Sequence, residues 1–99
     1  EQEITLQNIV LVLFDLLKKG QWREKIEASK SLLYLYRTFD RDFRNPLEDI
    51  VLPQVEMCED ENWQVREATV RNLVGYGVWS LEVVGALVRR LADGREEVR

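Results

Sequence analysis

The chain has few of the residue types that carry chemistry. It contains no histidine, and Cys58 is its only cysteine. The usual zinc sites need several Cys or His ligands, so this composition excludes them. Ser-His and Cys-His nucleophile systems lack their base for the same reason. A lone cysteine forms no internal disulfide, and we predict that Cys58 is a small buried hydrophobic residue.

Glycine and proline are also scarce. The 5 glycines and 2 prolines are scattered, so no glycine-rich phosphate loop occurs. The acidic run Glu59-Asp60-Glu61 lacks the alternating oxygen ligands of a calcium loop. We therefore predict no catalytic residues, no metal site and no cofactor, and a protein that is not an enzyme.

Neither sign of charge dominates, and no long apolar run appears. The formal charge of −4 comes from 14 basic and 18 acidic residues in mixed order. This balance gives no basic arm, so we expect no nucleic-acid partner. The most apolar segment, Ile4 to Lys19, is too short and too polar at its ends for a membrane span, which favours a buried helix. No secretory signal is visible, and we expect a protein that is cytoplasmic or otherwise intracellular.

A central stretch, residues 60–71 (DENWQVREATVR), has the pattern of an amphipathic helix start. Asn62 is a good N-cap, because its side-chain oxygen can accept from backbone N–H groups of the first turn. Apolar residues then recur at three- and four-residue spacing, with charged residues between them. Gly75 and Gly77 are predicted to end this helix, since glycine takes the left-handed turn that helix ends often need.

The stretch is echoed elsewhere in the chain. Shifts of 40 and 41 residues relate it to the preceding part, and a shift of 33 relates it to the following part. Periods of about this length are typical of stacked helical repeats. The seven-residue difference between 40 and 33 falls in the loop Thr38 to Asn45. The matched positions are Trp22/Trp63, Tyr36/Tyr76, Val51/Val84, Val55/Val88, Cys58/Leu91 and Asp60/Asp93.

The spacing of Asp60, Val65-Arg66, Ala68 and Leu73 resembles the repeating unit of HEAT-repeat proteins. In that family the Asp and the Arg form a hydrogen-bonded ladder between neighbouring repeats. The resemblance implies inter-repeat structural roles for a set of residues that also includes the recurring tryptophan. The first unit departs from the pattern, with Lys19 at the Asp position and Lys25-Ile26 where Val-Arg would stand. The set is Asp60, Arg66, Asp93, Arg99 and Trp63.

The resemblance implies an all-α fold, a right-handed α-solenoid of stacked antiparallel helix hairpins with about five helices. The expected units are 1–19, 20–59, 60–92 and 93–99, of which the first and last are partial. We expect the chain to be an excerpt of a longer array that contacts flanking repeats of its own chain. The predicted helices are Ile4–Lys19, Gln21–Arg37, Pro46–Glu59 (kinked or delayed by Pro53), Trp63–Tyr76 and Ser80–Ala92.

Two aromatic features are candidate contacts for another protein. Trp22 and Trp63 start successive units; each is either a partner anchor or a packing residue, and their recurrence favours packing between units. In the loop, two phenylalanines alternate with two arginines at helical spacing. Either this loop is an exposed recognition surface or its rings fold back onto the neighbouring helix ends. Its four candidate residues are Phe39, Arg41, Phe43 and Arg44.

The resemblance points to a protein–protein interaction scaffold within a larger protein. The alternative is a purely structural spacer that binds no partner. Gln54 stands where the next unit has Leu87, which favours a partly exposed face and makes Gln54 and Glu56 candidate contacts. A sharper alternative is the tubulin-binding TOG class, to which Trp22, Arg23 and Lys25 are similar in character. A further alternative is the structural part of a HEAT-like lyase or DNA glycosylase whose active site lies elsewhere.

Overall fold

A computed structural model describes residues 5–93, without the side chain of Asp93. The helices are α1 (Leu6–Lys19), α2 (Trp22–Thr38), α3 (Leu52–Val55), α4 (Trp63–Tyr76) and α5 (Leu81–Asp93). This part of the chain is all helical, as predicted. None of its helices is both long and apolar enough to cross a bilayer. The predicted partial unit 93–99, including the Asp93 side chain and Arg99, lies outside the described residues, as does the predicted helix start at Ile4.

Side-chain caps fix where several helices begin. The Asn62 side chain accepts from the backbone N–H groups of Gln64 (2.8 Å) and Val65 (3.1 Å), which confirms its prediction as an N-cap. The Ser80 hydroxyl oxygen accepts from Val83 N at 3.2 Å in the same way. These caps satisfy donors that the first turn of a helix leaves unpaired.

Two glycines end helices for different reasons. Gly77 has φ of 67°, the left-handed conformation that favours glycine at a helix end. Gly20 ends α1 with an extended backbone instead, at φ −73°. A Cβ at Gly20 would lie 2.6 Å from the Leu16 carbonyl oxygen, so here glycine is needed for close approach. Gly75 was predicted to end α4, but the helix continues through it to Tyr76.

The predicted helix Pro46–Glu59 is a mixed segment. A π-helical turn, Leu47–Val51, precedes α3, and a 3₁₀ turn, Glu56–Glu59, follows it. In a regular helix the Pro53 ring would meet the carbonyl group of residue 49, and Pro53 donates no hydrogen bond. The wide turn directly before Pro53 relieves this conflict without breaking the helical path. Residues 47–59 are called the α3 segment below.

Helices α2 and α4 run side by side in the same direction. Near their starts, Lys25 contacts Asp60; near their middles, Asn72 donates to Ser29. Near their ends, Gly75 packs against Leu33 so closely that an added Cβ would lie 2.9 Å from Leu33 Cδ2. Helix α1 packs against α2, and α5 packs against both α4 and the α3 segment. Fully buried residues fill the space between these elements: Leu32, Ile50, Val51, Cys58, Val65, Leu73 and Val83.

Candidate interaction site

Lys25 joins the starts of α2 and α4. Its Nζ lies 2.7 Å from Asp60 Oδ1, and only 16% of the Lys25 side chain is exposed. The Asp60 carboxylate also accepts from the backbone N–H of Asn62, at 3.0 Å. Arg66 donates to the carbonyl oxygens of Asp60 (2.8 Å) and Glu61 (3.1 Å). Lys25 and Arg66 each lie three residues after a tryptophan, so equivalent basic residues both meet the start of α4.

This arrangement changes the interpretation of two predictions. Lys25 was predicted as a partner contact, but its ammonium group is held by Asp60 and is mostly covered. The ladder was expected to be interrupted in the first unit, because that unit lacks the Asp and Arg of the pattern. A lysine supplies the cation there, and its bond to Asp60 joins the starts of α2 and α4.

The two tryptophans differ in exposure. Trp22 is half-buried, and the Arg23 guanidinium carbon lies 4.9 Å from the centre of its ring. Trp63 leaves 41% of its surface exposed at the start of α4. An open recess of about 410 Å³ lies between the starts of α2 and α4, with Trp22, Lys25 and Asp60 in its lining.

The loop at residues 38–45, which the difference between the two periods predicts to be an insertion, is called the inserted loop below. Its two phenylalanines have different surroundings. Phe43 folds back, with its ring centre 5.9 Å from that of Tyr36, which in turn lies 5.3 Å from Tyr76. Phe39 ends α2 and is 42% exposed. The loop contains the further helical turn that its spacing predicted, as a 3₁₀ turn at Asp40–Asp42. Three other candidate contacts, Arg41, Arg44 and Glu56, are exposed.

Gln54 is completely buried, so its interpretation as a partly exposed contact is wrong. Its amide nitrogen donates to the Tyr76 hydroxyl (2.8 Å) and to the Ile50 carbonyl oxygen (2.9 Å). Its amide oxygen accepts from the Ser29 hydroxyl at 3.3 Å, and Ser29 accepts from Asn72 at 2.8 Å. A polar residue at a core position is tolerated when its hydrogen bonds are satisfied. The network ties α2, the α3 segment and α4 together.

Burial raises the pKa of two groups in this core. Desolvation, with the negative charge of Glu59 as a smaller cause, raises the pKa of the Cys58 thiol to about 11. Desolvation also raises the pKa of the Tyr76 hydroxyl well above its usual range, against the opposing effect of its hydrogen bond with Gln54. A high thiol pKa leaves little thiolate at neutral pH, so Cys58 is a poor nucleophile. Among residues 5–93, no group of three Cys, Asp or Glu side chains is placed to hold a metal ion.

A groove runs between α1 and the α3 segment. One end is a recess of about 350 Å³, lined by Leu6, Gln7, Val10, Leu11, Phe14, Asp42, Phe43 and Asp49. It adjoins a second recess of about 270 Å³, which shares Leu11 and Phe14 and adds Asp15, Leu17, Lys18, Pro53 and Met57. We call both recesses together the α1 groove. Its floor is apolar, and its carboxylates are concentrated at the wider end.

Sequence reasoning missed most of this groove. Only Phe43 was among the candidate contacts, and it was expected to act with Phe39. The available signal was the pair Asp42 and Asp49 near the inserted loop, but nothing in the spacing placed α1 beside them. The groove forms where the 38–45 loop and the π-helical turn place Asp42, Phe43 and Asp49 opposite α1.

An apolar stripe on α5 is exposed. Val84, Val88 and Leu91 are 44%, 58% and 75% exposed, and Leu81 continues the stripe. The 33-residue shift matches the first three with Val51, Val55 and Cys58 of the α3 segment. There, Val51 and Cys58 are completely buried. Matched sequence positions are thus covered in one helical segment and uncovered in the other.

The chain was compared with protein-family models, with curated proteins and with solved structures, and none of the three comparisons gives a match.

Proposed function

We propose that the chain is a non-catalytic stretch of HEAT-like helical repeats that serves as a protein–protein interaction scaffold. The observation that carries the repeat part of this proposal is the matched stripe. Apolar positions that are buried in the α3 segment recur on α5, where they are exposed. A further helical hairpin of the same kind would cover them, as stacked repeats cover each other.

The contacts between α2 and α4 support the same proposal. Stacked repeats require the first helices of successive units to lie side by side in the same direction, and α2 and α4 do so. The Lys25–Asp60 bond occupies the place of the inter-repeat ladder. The right-handed solenoid of antiparallel hairpins, with units 20–59 and 60–92, is the architecture that we propose on these grounds.

The interaction part of the proposal rests on surface chemistry. The described residues present the α1 groove and the partly exposed aromatic residues Phe39 and Trp63. Aromatic residues are enriched among those that dominate binding energy at protein interfaces. The tubulin-binding alternative loses support, because Lys25 is engaged by Asp60.

An unbiased peptide-display selection against the immobilised chain tests this proposal. The same selection against heat-denatured chain removes peptides that bind any exposed apolar segment. A scaffold predicts peptides that bind the folded chain with micromolar affinity in a solution titration and do not bind the denatured chain. Failure to recover any such binder, from peptide or folded-domain libraries alike, would contradict the interaction role and leave the spacer alternative.

A further inference from the structure

We infer that the α1 groove binds a short segment of a partner protein that combines bulky apolar side chains with Arg or Lys. This inference rests on the proposed interaction function and specifies its partner chemistry.

The shape fits a peptide better than a compact small molecule. The groove follows α1 from Leu6 to Lys18, a distance of about 18 Å at the rise of an α-helix. Its two recesses, of about 350 and 270 Å³, are joined at Leu11 and Phe14. Each recess lies near or below the lower end of the range for ligand pockets, about 300–1,000 Å³. Two joined recesses of this size accept side chains from one extended or helical segment.

The floor supplies hydrophobic contact. Val10 and Leu17 are buried beneath it, while Leu11 is 64% exposed along it. Phe14 lies where the two recesses meet, and Phe43 from the inserted loop lies across from α1. Apolar side chains of a partner would gain by leaving water here.

The two ends of the groove differ in charge. Asp42 and Asp49 line the wide end, and within residues 5–93 neither carboxylate has a basic side-chain partner; Asp49 accepts only from Asn45 N, at 3.2 Å. The other recess contains Asp15, which pairs with Lys19 at 3.4 Å, and the cation Lys18. Charge complementarity therefore places the partner's basic residue near Asp42 and Asp49.

The experiment is a fluorescence-anisotropy titration of the full chain with three labelled helical peptides. The probe peptide has two leucines at four-residue spacing and two flanking arginines. One matched peptide replaces the arginines with glutamates, and the other replaces the leucines with serines. We expect the probe to bind at least tenfold more tightly than either matched peptide, and its affinity to fall as salt concentration rises.

Two double variants locate the site. Asp42→Asn/Asp49→Asn removes the groove carboxylates and is expected to weaken probe binding about tenfold. Asp40→Asn/Glu48→Gln removes two exposed carboxylates that do not line the groove and changes net charge equally. It is expected to change affinity less than twofold. Circular dichroism checks that both variants are folded, and NMR shift mapping of the wild-type chain supplies a readout independent of substitution.

Several results would overturn the inference. These are equal weakening by both variants, tighter binding of the glutamate peptide, shift changes confined to α5, or dimerisation through the groove that Leu11→Ser abolishes. If the display selection yields binders whose affinity is unchanged by Asp42→Asn/Asp49→Asn, the groove inference is wrong while the scaffold proposal stands. If no binder of any kind exists, the scaffold proposal itself fails.

Discussion

The α3 segment and α5 have similar apolar patterns, but this pattern is buried in the α3 segment and exposed on α5. Val51 and Cys58 are fully buried, while their counterparts Val84 and Leu91 are 44% and 75% exposed. The α3 segment contacts both α4 and α5, and Arg90 of α5 donates to the Cys58 carbonyl oxygen at 2.9 Å. The comparison teaches that a residue's burial here depends on whether a next helix lies against its stripe. Four tests, based on substitutions or on a change of pH, examine this comparison.

The largest difference is expected between matched valine substitutions. Val51→Ser should lower the free energy of unfolding by about 4 kcal/mol, because it leaves a cavity and buries a hydroxyl group. Val84→Ser, at the matched exposed position, should change it by less than about 0.5 kcal/mol. Urea denaturation of the two variants and the wild type measures both effects. Equal losses would show that the two stripes have the same surroundings.

Alkaline pH should lower the free energy of unfolding through the buried thiol of Cys58, an effect that its exposed counterpart Leu91 cannot have. The folded-state pKa of the Cys58 thiol is raised from 9.0 to about 11, so its contribution to stability is complete below pH 9.0 and is lost as pH rises to about 11. The loss amounts to at most about 3 kcal/mol, since each pKa unit corresponds to about 1.4 kcal/mol. Burial of Tyr76 adds a loss of the same sign at higher pH.

Unfolding free energies at pH 8 and pH 10.5 check this dependence. Cys58→Ala should make the difference between the two pH values smaller, whereas Leu91→Ala should leave it unchanged. An unchanged difference in Cys58→Ala would mean that the pKa of the Cys58 thiol is the same in the folded and unfolded states.

Replacing Gln54 by leucine makes the α3 segment resemble α5, which has Leu87 at the matched position. We expect a loss of about 2 kcal/mol, because the hydroxyl groups of Tyr76 and Ser29 lose a buried partner. The double variant Gln54→Leu/Tyr76→Phe should lose less than the sum of the two single variants. Thermal and urea denaturation of all four proteins gives this coupling. If the losses of the two single variants add up to the loss of the double variant, the hydrogen bond between Gln54 and Tyr76 is not the source of the stability loss.

The smallest effect on stability is expected at Gly77, in the turn between α4 and α5. Gly77→Ala places a Cβ in the left-handed conformation and should cost about 1 kcal/mol. Gly85→Ala, within α5, is the control and should be neutral or slightly stabilising, because glycine is a poor helix former. Differential scanning calorimetry compares the two. A larger loss for Gly85→Ala would contradict the described conformations.

Local signals in the sequence predicted the helices well. The cap at Asn62 and the stop at Gly77 each act within a few residues, so spacing alone reveals them. Long-range pairing was harder to foresee. The interpretation of Gln54 failed because its partners Ser29 and Tyr76 lie 25 and 22 residues away. The α1 groove was missed because it depends on how far α1 stands from the α3 segment, a distance that no local pattern encodes.

The most direct test of the central claim is to cover the α5 stripe. Residues 61–93 are appended after Asp93, so that Asp93 takes the place of Asp60 and the 33-residue period continues. The effect of Val84→Ser on the free energy of unfolding is then measured in the original and in the extended chain. We predict less than about 0.5 kcal/mol in the original chain and about 3 kcal/mol or more in the extended one. The same small effect in both chains would contradict the account of α5 as an open repeat face.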